Sequence, residues 1–121
     1  MASNSEIVLS ANTHPGDSSD QELYSDKVKG DGFYSRVDGF HTVQYNITGL
    51  TASVIMQGTL ALDPQDADWF DIPTSEHVAT LDDEDTRSGS FIFNFTGNYV
   101  WVRAYVYDWV DGTVNSILLN H

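Results

Sequence analysis

The chain has no cysteine, so no disulfide braces it, and cysteine usage says nothing of its redox compartment. Basic residues are scarce: 5 Lys plus Arg stand against 18 Asp plus Glu, a formal net charge of -13 at pH 7. Phosphate backbones are bound mainly through Lys and Arg, so this balance argues against nucleic acid as a partner and against docking on anionic lipid. No apolar run approaches the roughly 20 residues that a bilayer-spanning helix needs. Residues 1–4 lack the basic and apolar regions of a secretory leader, so synthesis in a cytoplasm is the expectation. Helical periodicity is missing from every stretch of ten or more residues. So are the sequence patterns of catalysis: no G-x-S-x-G, no S-x-x-K, no P-loop and no G-x-G-x-x-G. The histidines (His14, His41, His77 and His121) are scattered without metal-ligand spacing. The sequence therefore leads us to expect neither an enzyme nor a cofactor or metal.

What is there is β-patterning. At 121 residues with a 40% apolar fraction, the chain is long enough for one domain with a real core. The clearest element is Tyr99 to Tyr107, where Val100, Val102, Ala104 and Val106 alternate with Tyr99, Trp101, Arg103, Tyr105 and Tyr107. Period two in β-branched and aromatic residues predicts a strand, its aliphatic face inward. The other face carries rings and one cation. Residues 41–48 alternate in the same way, with His41, Val43, Tyr45 and Ile47 on one side. The Gly49-Leu50-Thr51 step predicts a hairpin into a strand over 53–62 that buries Val54, Met56, Leu60 and Leu62. Gly58 in that strand, on the same face, suggests a bulge or a close approach of another backbone.

Shorter elements fill the rest. Residues 6–11 predict a strand with Ile7, Leu9 and Ala11 on one face, followed by a loop over 12–21 and a strand-like piece at Leu23 and Tyr24. Residues 27–39 carry glycines suited to turns and three basic residues, Lys27, Lys29 and Arg36. Residues 69–72 predict a short strand ended by Pro73, and residues 76–81 an edge strand. Phe91, Phe93 and Phe95 share a face, Asp111-Gly112 is a hairpin signal, and residues 113–119 form a last strand. The fold class is all-β: an antiparallel β-sandwich or jelly-roll-like single domain over 1–121, with a partly loop-like segment at 1–26.

Two motifs invite function and are weak. The acidic stretch 63–85 holds nine carboxylates and no Lys or Arg, yet it lacks the spacing of a calcium loop, so a solvated hairpin tip is expected. Asn46-Ile47-Thr48 and Asn94-Phe95-Thr96 match the glycosylation acceptor pattern, without a leader to give it meaning. The rings are stronger candidates. Tyr99, Trp101, Tyr105 and Tyr107, or Trp69 and Trp109, could stack on sugar faces, or lie buried under a neighbouring sheet or subunit. Arg103 among them suits a cation–π or ion-pair contact.

Several stretches resemble virion structural proteins of marine T-even-like tailed phages, cyanophages among them. They are KVKGDGFY (27–34), DGFHTV (38–43), MQGTL (56–60), DWFDI (68–72), TGNYVWVRA (96–104) and GTV (112–114). The order QGTL, then DWF, then TGNYVWVRA is similar to that of small β-sandwich modules in phage capsid, tail and fibre proteins. The resemblance covers about 27–121 and implies packing motifs, with no cofactor and no catalytic residues. It implies a non-enzymatic virion component, made in a host cytoplasm, whose partners are other virion proteins and copies of itself. A glycan-binding module for attachment to a host surface is the alternative. In either case the candidate contact surface is Tyr99, Trp101, Arg103, Tyr105, Tyr107, Trp69 and Trp109.

Overall fold

The computed structural model describes residues 5–17, 19–34 and 39–120. Its strands are β1 (Ser5–Leu9), β2 (Asn12–Thr13), β3 (Gln21–Tyr24), β4 (Val28–Lys29), β5 (Phe40–Thr59), β6 (Phe70–Ala79), β7 (Gly89–Thr96) and β8 (Trp101–Asn120). The only helical pieces among the described residues are short 3-10 turns, as at Asp31–Tyr34. All strand pairs are antiparallel.

The two 20-residue strands organise everything else. β5 and β8 pair along their whole length, from Thr42 opposite Asn120 to Thr59 opposite Trp101. The ladder shifts register between Thr48 and Ser53. There Gly49 has φ 59° and, on the facing strand, Gly112 has φ 91° and Asp108 φ 51°. Both strands bend at this point, and each gives one half to each of two layers. In the first layer, β1 and β2 flank the end of β8, and β7 flanks the start of β5. In the second, β3 and β4 flank the start of β8, and β6 flanks the end of β5. The result is a β-sandwich.

Alternation then makes the core. His41, Val43, Tyr45 and Ile47 of the first layer are at most 2% exposed and face Ala52, Val54 and Met56 of the second. Val102, Ala104 and Val106 are fully buried, as are Val114, Ile117 and Leu119 beyond the bend. Cross-layer contacts close the sandwich: the Tyr45 hydroxyl donates to the Ser75 carbonyl at 2.8 Å, and His77 of β6 stacks on Phe91 of β7 at 4.0 Å.

The aliphatic side of the 100–107 stretch, the 41–47 face and the Phe91, Phe93 and Phe95 face lie where the alternation puts them. Other expectations change. Gly49-Leu50-Thr51 and Asp111-Gly112 do mark reversals of direction, but the chain continues into the opposite layer and makes no hairpin at either place. β5 ends at Thr59, so Leu60 and Leu62 are 71% and 82% exposed. Pro73 does not end its strand, because it falls in the irregular step between Ile72 and His77, where no residue of β6 has a ladder partner on β5 for a missing N–H to break. In β1 the buried residue is Val8, at 6%, while Ile7 is 67% exposed; the register of this edge strand slips between Ile7 and Leu9. Residues 12–13 and 21–24 are strands on β8, so much of the first 26 residues is sheet. Arg36, Asp38 and His121 lie outside the described residues.

Candidate functional site

The outward face of the second layer holds the candidate site. Because β8 alternates, Val102, Ala104 and Val106 commit their neighbours Trp101, Arg103, Tyr105 and Tyr107 to the other side of the sheet. Across β5 these face Thr59, Gln57, Ile55 and Ser53. The four β5 side chains are 3% to 8% exposed although they point away from the core, because the larger β8 groups lean over them. Among the described residues no further sheet covers the groups on β8, which stay half-exposed.

The planar groups stack pairwise. Trp69 arrives from the segment before β6 and lies 4.4 Å from the Arg103 guanidinium carbon, with Tyr24 on that same group at 4.2 Å. Tyr24 stacks on Tyr105 at 4.4 Å with planes 5° apart, and Tyr105 on Tyr107 at 5.0 Å and 20°. The stack is thus rings with one guanidinium slotted between a Trp and a Tyr, a cation–π arrangement on both faces. Many ring faces are spent on one another. What the surface offers is ring edges, the outermost faces and a fringe of hydrogen-bonding groups.

That fringe is well defined. Arg103 Nε donates to Gln57 Oε1 at 2.8 Å, and Gln57 Nε2 donates to Asp71 Oδ1 at 2.8 Å, a row across three strands. Tyr105 Oη donates to Glu22 at 2.9 Å, and Tyr107 Oη donates to Glu76. Burial, with the Glu22 bond, raises the Tyr105 hydroxyl above the usual tyrosine range; the Glu76 bond, then burial, does the same for Tyr107. Both are firm donors at neutral pH. Burial lowers Arg103 from its usual value, opposed by the charges of Tyr24 and Asp66. At the other end, Trp101 Nε1 donates to the Leu62 carbonyl at 3.1 Å and Phe33 packs on its ring at 5.0 Å. Lys27 Nζ sits 5.0 Å over Trp101, and Lys29 Nζ 4.6 Å over Phe33.

Five of the seven residues singled out in the sequence therefore meet: Trp69, Trp101, Arg103, Tyr105 and Tyr107. Two do not. Tyr99 precedes β8, and its ring is wedged over Gly58 and Gly97 beside Phe95 and His41. Gly58 thus marks the close approach of a side chain, the Tyr99 ring, and not of another backbone. Trp109 is 5% exposed and packs edge-on against the buried His14. It lies inward because Asp108 has a positive φ at the bend and shifts the alternation by one. Tyr24, Gln57, Phe33 and the two lysines complete the face; the sequence signals none of them as part of it, since β3 and β4 reach β8 only through long-range pairing.

Other candidate features are elsewhere. An apolar groove of about 450 Å³ lies beside the end of β5, lined by Leu60, Ala61, Phe70 and Tyr99 among others. The acidic turn around Asp83 and Glu84 is exposed, and among the described residues no cluster of three His, Asp or Glu is placed to hold a metal.

No protein-family model matches the sequence, and no curated protein matches it. Among solved structures, the chain is similar to CBM29_1, a family 29 carbohydrate binding module from Piromyces equi. The TM-score is 0.49 at 10% identity, over 100% of this chain and 93% of that one. It is also similar to the K3 cleaved adhesin domain of Lys-gingipain from Porphyromonas gingivalis, with TM-score 0.47 at 9% identity over 95% and 69% of the two chains. The sandwich assignment rests on the strand pairing of this chain itself.

Proposed function

We propose that this domain is a non-enzymatic carbohydrate-binding module acting through the outward face of its second layer. The observation that carries the reading is the open ring stack with its fringe of Arg103, Gln57, Asp71, Glu22 and Glu76. Sugars offer adjacent hydroxyls that carboxylate, amide and guanidinium groups bind in pairs, and apolar C–H faces that pack on rings. A half-exposed face with both kinds of group suits such a ligand, and the stacking supports it by fixing the side chains before binding. The test is retention on immobilised polysaccharides in affinity electrophoresis. Trp69→Ala and Arg103→Ala should each weaken retention by about tenfold or more, as for hot-spot residues. Unchanged retention in both variants overturns the reading.

A second reading, assembly of a virion structural protein from copies of itself, is favoured by a different surface. The outward rows of the first layer are Asn120–Thr42–Asn94, Leu118–Gln44–Ile92 and Ser116–Asn46–Ser90, and none holds a charge. Ile92 is 61% exposed. In a chain of net charge -13, this is a face on which two copies meet with least repulsion. Sedimentation velocity at high concentration should show association that Ile92→Lys abolishes. A monomer at every concentration overturns it.

A further inference from the structure

The cations of this acidic chain are unevenly placed. Four Lys or Arg lie among the described residues, and Arg87 is taken up by ion pairs with Glu84 and Asp111 at the bend. The other three, Lys27, Lys29 and Arg103, all stand on the ring face. None of the three forms an ion pair among the described residues, although the chain has 18 carboxylates to choose from. Each instead sits over a ring: Lys27 on Trp101, Lys29 on Phe33, and Arg103 on Tyr24 and Trp69. A ring holds a cation in place without neutralising it, so ammonium and guanidinium hydrogens stay available to a ligand.

The face is also polarised along β8. Lys27 and Lys29 gather at the Trp101 end, with Arg103, on which the Asp66 charge acts, two residues further on. Glu22 and Glu76 hang from the hydroxyls of Tyr105 and Tyr107 at the opposite end, and Asp71 is held by Gln57 beside Arg103. A uniformly neutral polymer gives no reason for free cations at one end only. We infer that the polysaccharide is anionic, with a carboxylate or sulfate-ester group of one sugar seated among Lys27, Lys29 and Arg103, and neutral hydroxyls on the Tyr105–Tyr107 end. Repulsion from the remaining charge of the chain is screened beyond roughly 8 Å at physiological ionic strength, whereas contact pairs are screened less.

This rests on the carbohydrate reading, and one experiment separates the two. Binding is measured at 0.15 M salt to polygalacturonate and its fully methyl-esterified form, and to dextran sulfate and plain dextran. At least one anionic polymer should bind about tenfold more tightly than its uncharged counterpart, the scale of one or two charge-assisted hydrogen bonds. Which one does so identifies the group as carboxylate or sulfate. The exposed double variant Lys27→Gln/Lys29→Gln should bring that preference close to unity, because the loss falls on the anionic polymer far more than on the uncharged one. Equal binding of both members of each pair, or preference for the uncharged member, overturns the inference and leaves the carbohydrate reading intact. If none of the four polymers binds, both fall.

Discussion

The Arg87 guanidinium donates from Nη2 to the Gly49 carbonyl at 3.0 Å and from Nε to the Leu50 carbonyl at 3.1 Å. Those carbonyls are left over where β5 bends between layers, and the Leu50 N–H is taken by the Arg87 carbonyl at 2.9 Å. One side chain thus satisfies the acceptors of the corner on which the sandwich turns. Arg87→Ala should lower unfolding free energy by roughly 3 kcal/mol, the cost of two charge-assisted bonds to partly buried carbonyls. Arg87→Lys should recover less than half of it, since a single ammonium cannot reproduce the planar fork. Urea unfolding of both variants checks this; equal stability of Arg87→Ala and wild type would remove the clamp.

The same corner separates two glycines that look alike in the sequence. Gly49 has φ 59° and open space where a Cβ would stand, so Gly49→Ala should cost only the left-handed penalty, roughly 1–2 kcal/mol. Gly112 has φ 91° and lies against the Gly49 carbonyl and Leu50 Cα. Gly112→Ala pays the backbone strain and a backbone collision together, and should cost several kcal/mol, on the order of 4. The midpoints of the two variants should separate clearly in one denaturant series.

These glycines also show what the sequence could and could not convey. Gly49 and Gly112 announce reversals, and the chain does turn there. A hairpin and a layer change need the same local freedom, however, and only the pairing of residues far apart in sequence decides between them. Alternation identified the inward and outward sides of residues 101–107 and 41–47, because each residue's neighbours fix its side of the pleat. It failed at Tyr99, ahead of the strand, and at Trp109, where Asp108 adopts φ 51° and shifts the phase. The candidate site was legible where it lies on β8 itself. Tyr24, Lys27 and Lys29 reach it through β3 and β4, short strands whose partners no local pattern names.

Alkaline pH should weaken the fold in a defined window. Tyr45, Tyr105 and Tyr107 all have hydroxyls raised above the usual tyrosine value, Tyr45 by burial, Tyr105 chiefly by burial and Tyr107 chiefly by its bond to Glu76. A group raised in the folded state contributes its full stability below the unfolded value. That contribution is lost as pH rises past about 10, where unfolded tyrosines ionise. Urea midpoints should therefore be insensitive to these groups at pH 7 to 9 and fall above pH 10. Tyr107→Phe should make the alkaline fall shallower. An identical slope would mean that the Tyr107–Glu76 bond does not form.

Ser75 is fully buried in an irregular part of β6, where the five-residue step from Ile72 to His77 faces the two-residue step from Met56 to Val54. Its hydroxyl accepts from the Met56 N–H at 2.9 Å and donates to the Ile72 carbonyl at 2.6 Å, replacing ladder bonds that the irregularity removes. Its carbonyl takes the Tyr45 hydroxyl from the opposite layer at 2.8 Å. Ser75→Ala orphans a buried N–H and should cost about 2 kcal/mol, while Tyr45→Phe removes one donor and should cost about 1 kcal/mol. Because both bonds hold the same turn of backbone, the double variant should lose measurably less than the two single losses added. Non-additivity of about 0.5 kcal/mol or more in a double-mutant cycle is the expected outcome. Strict additivity would show that the irregularity in β6 is held by its own strand alone, with no contribution from the layer it faces.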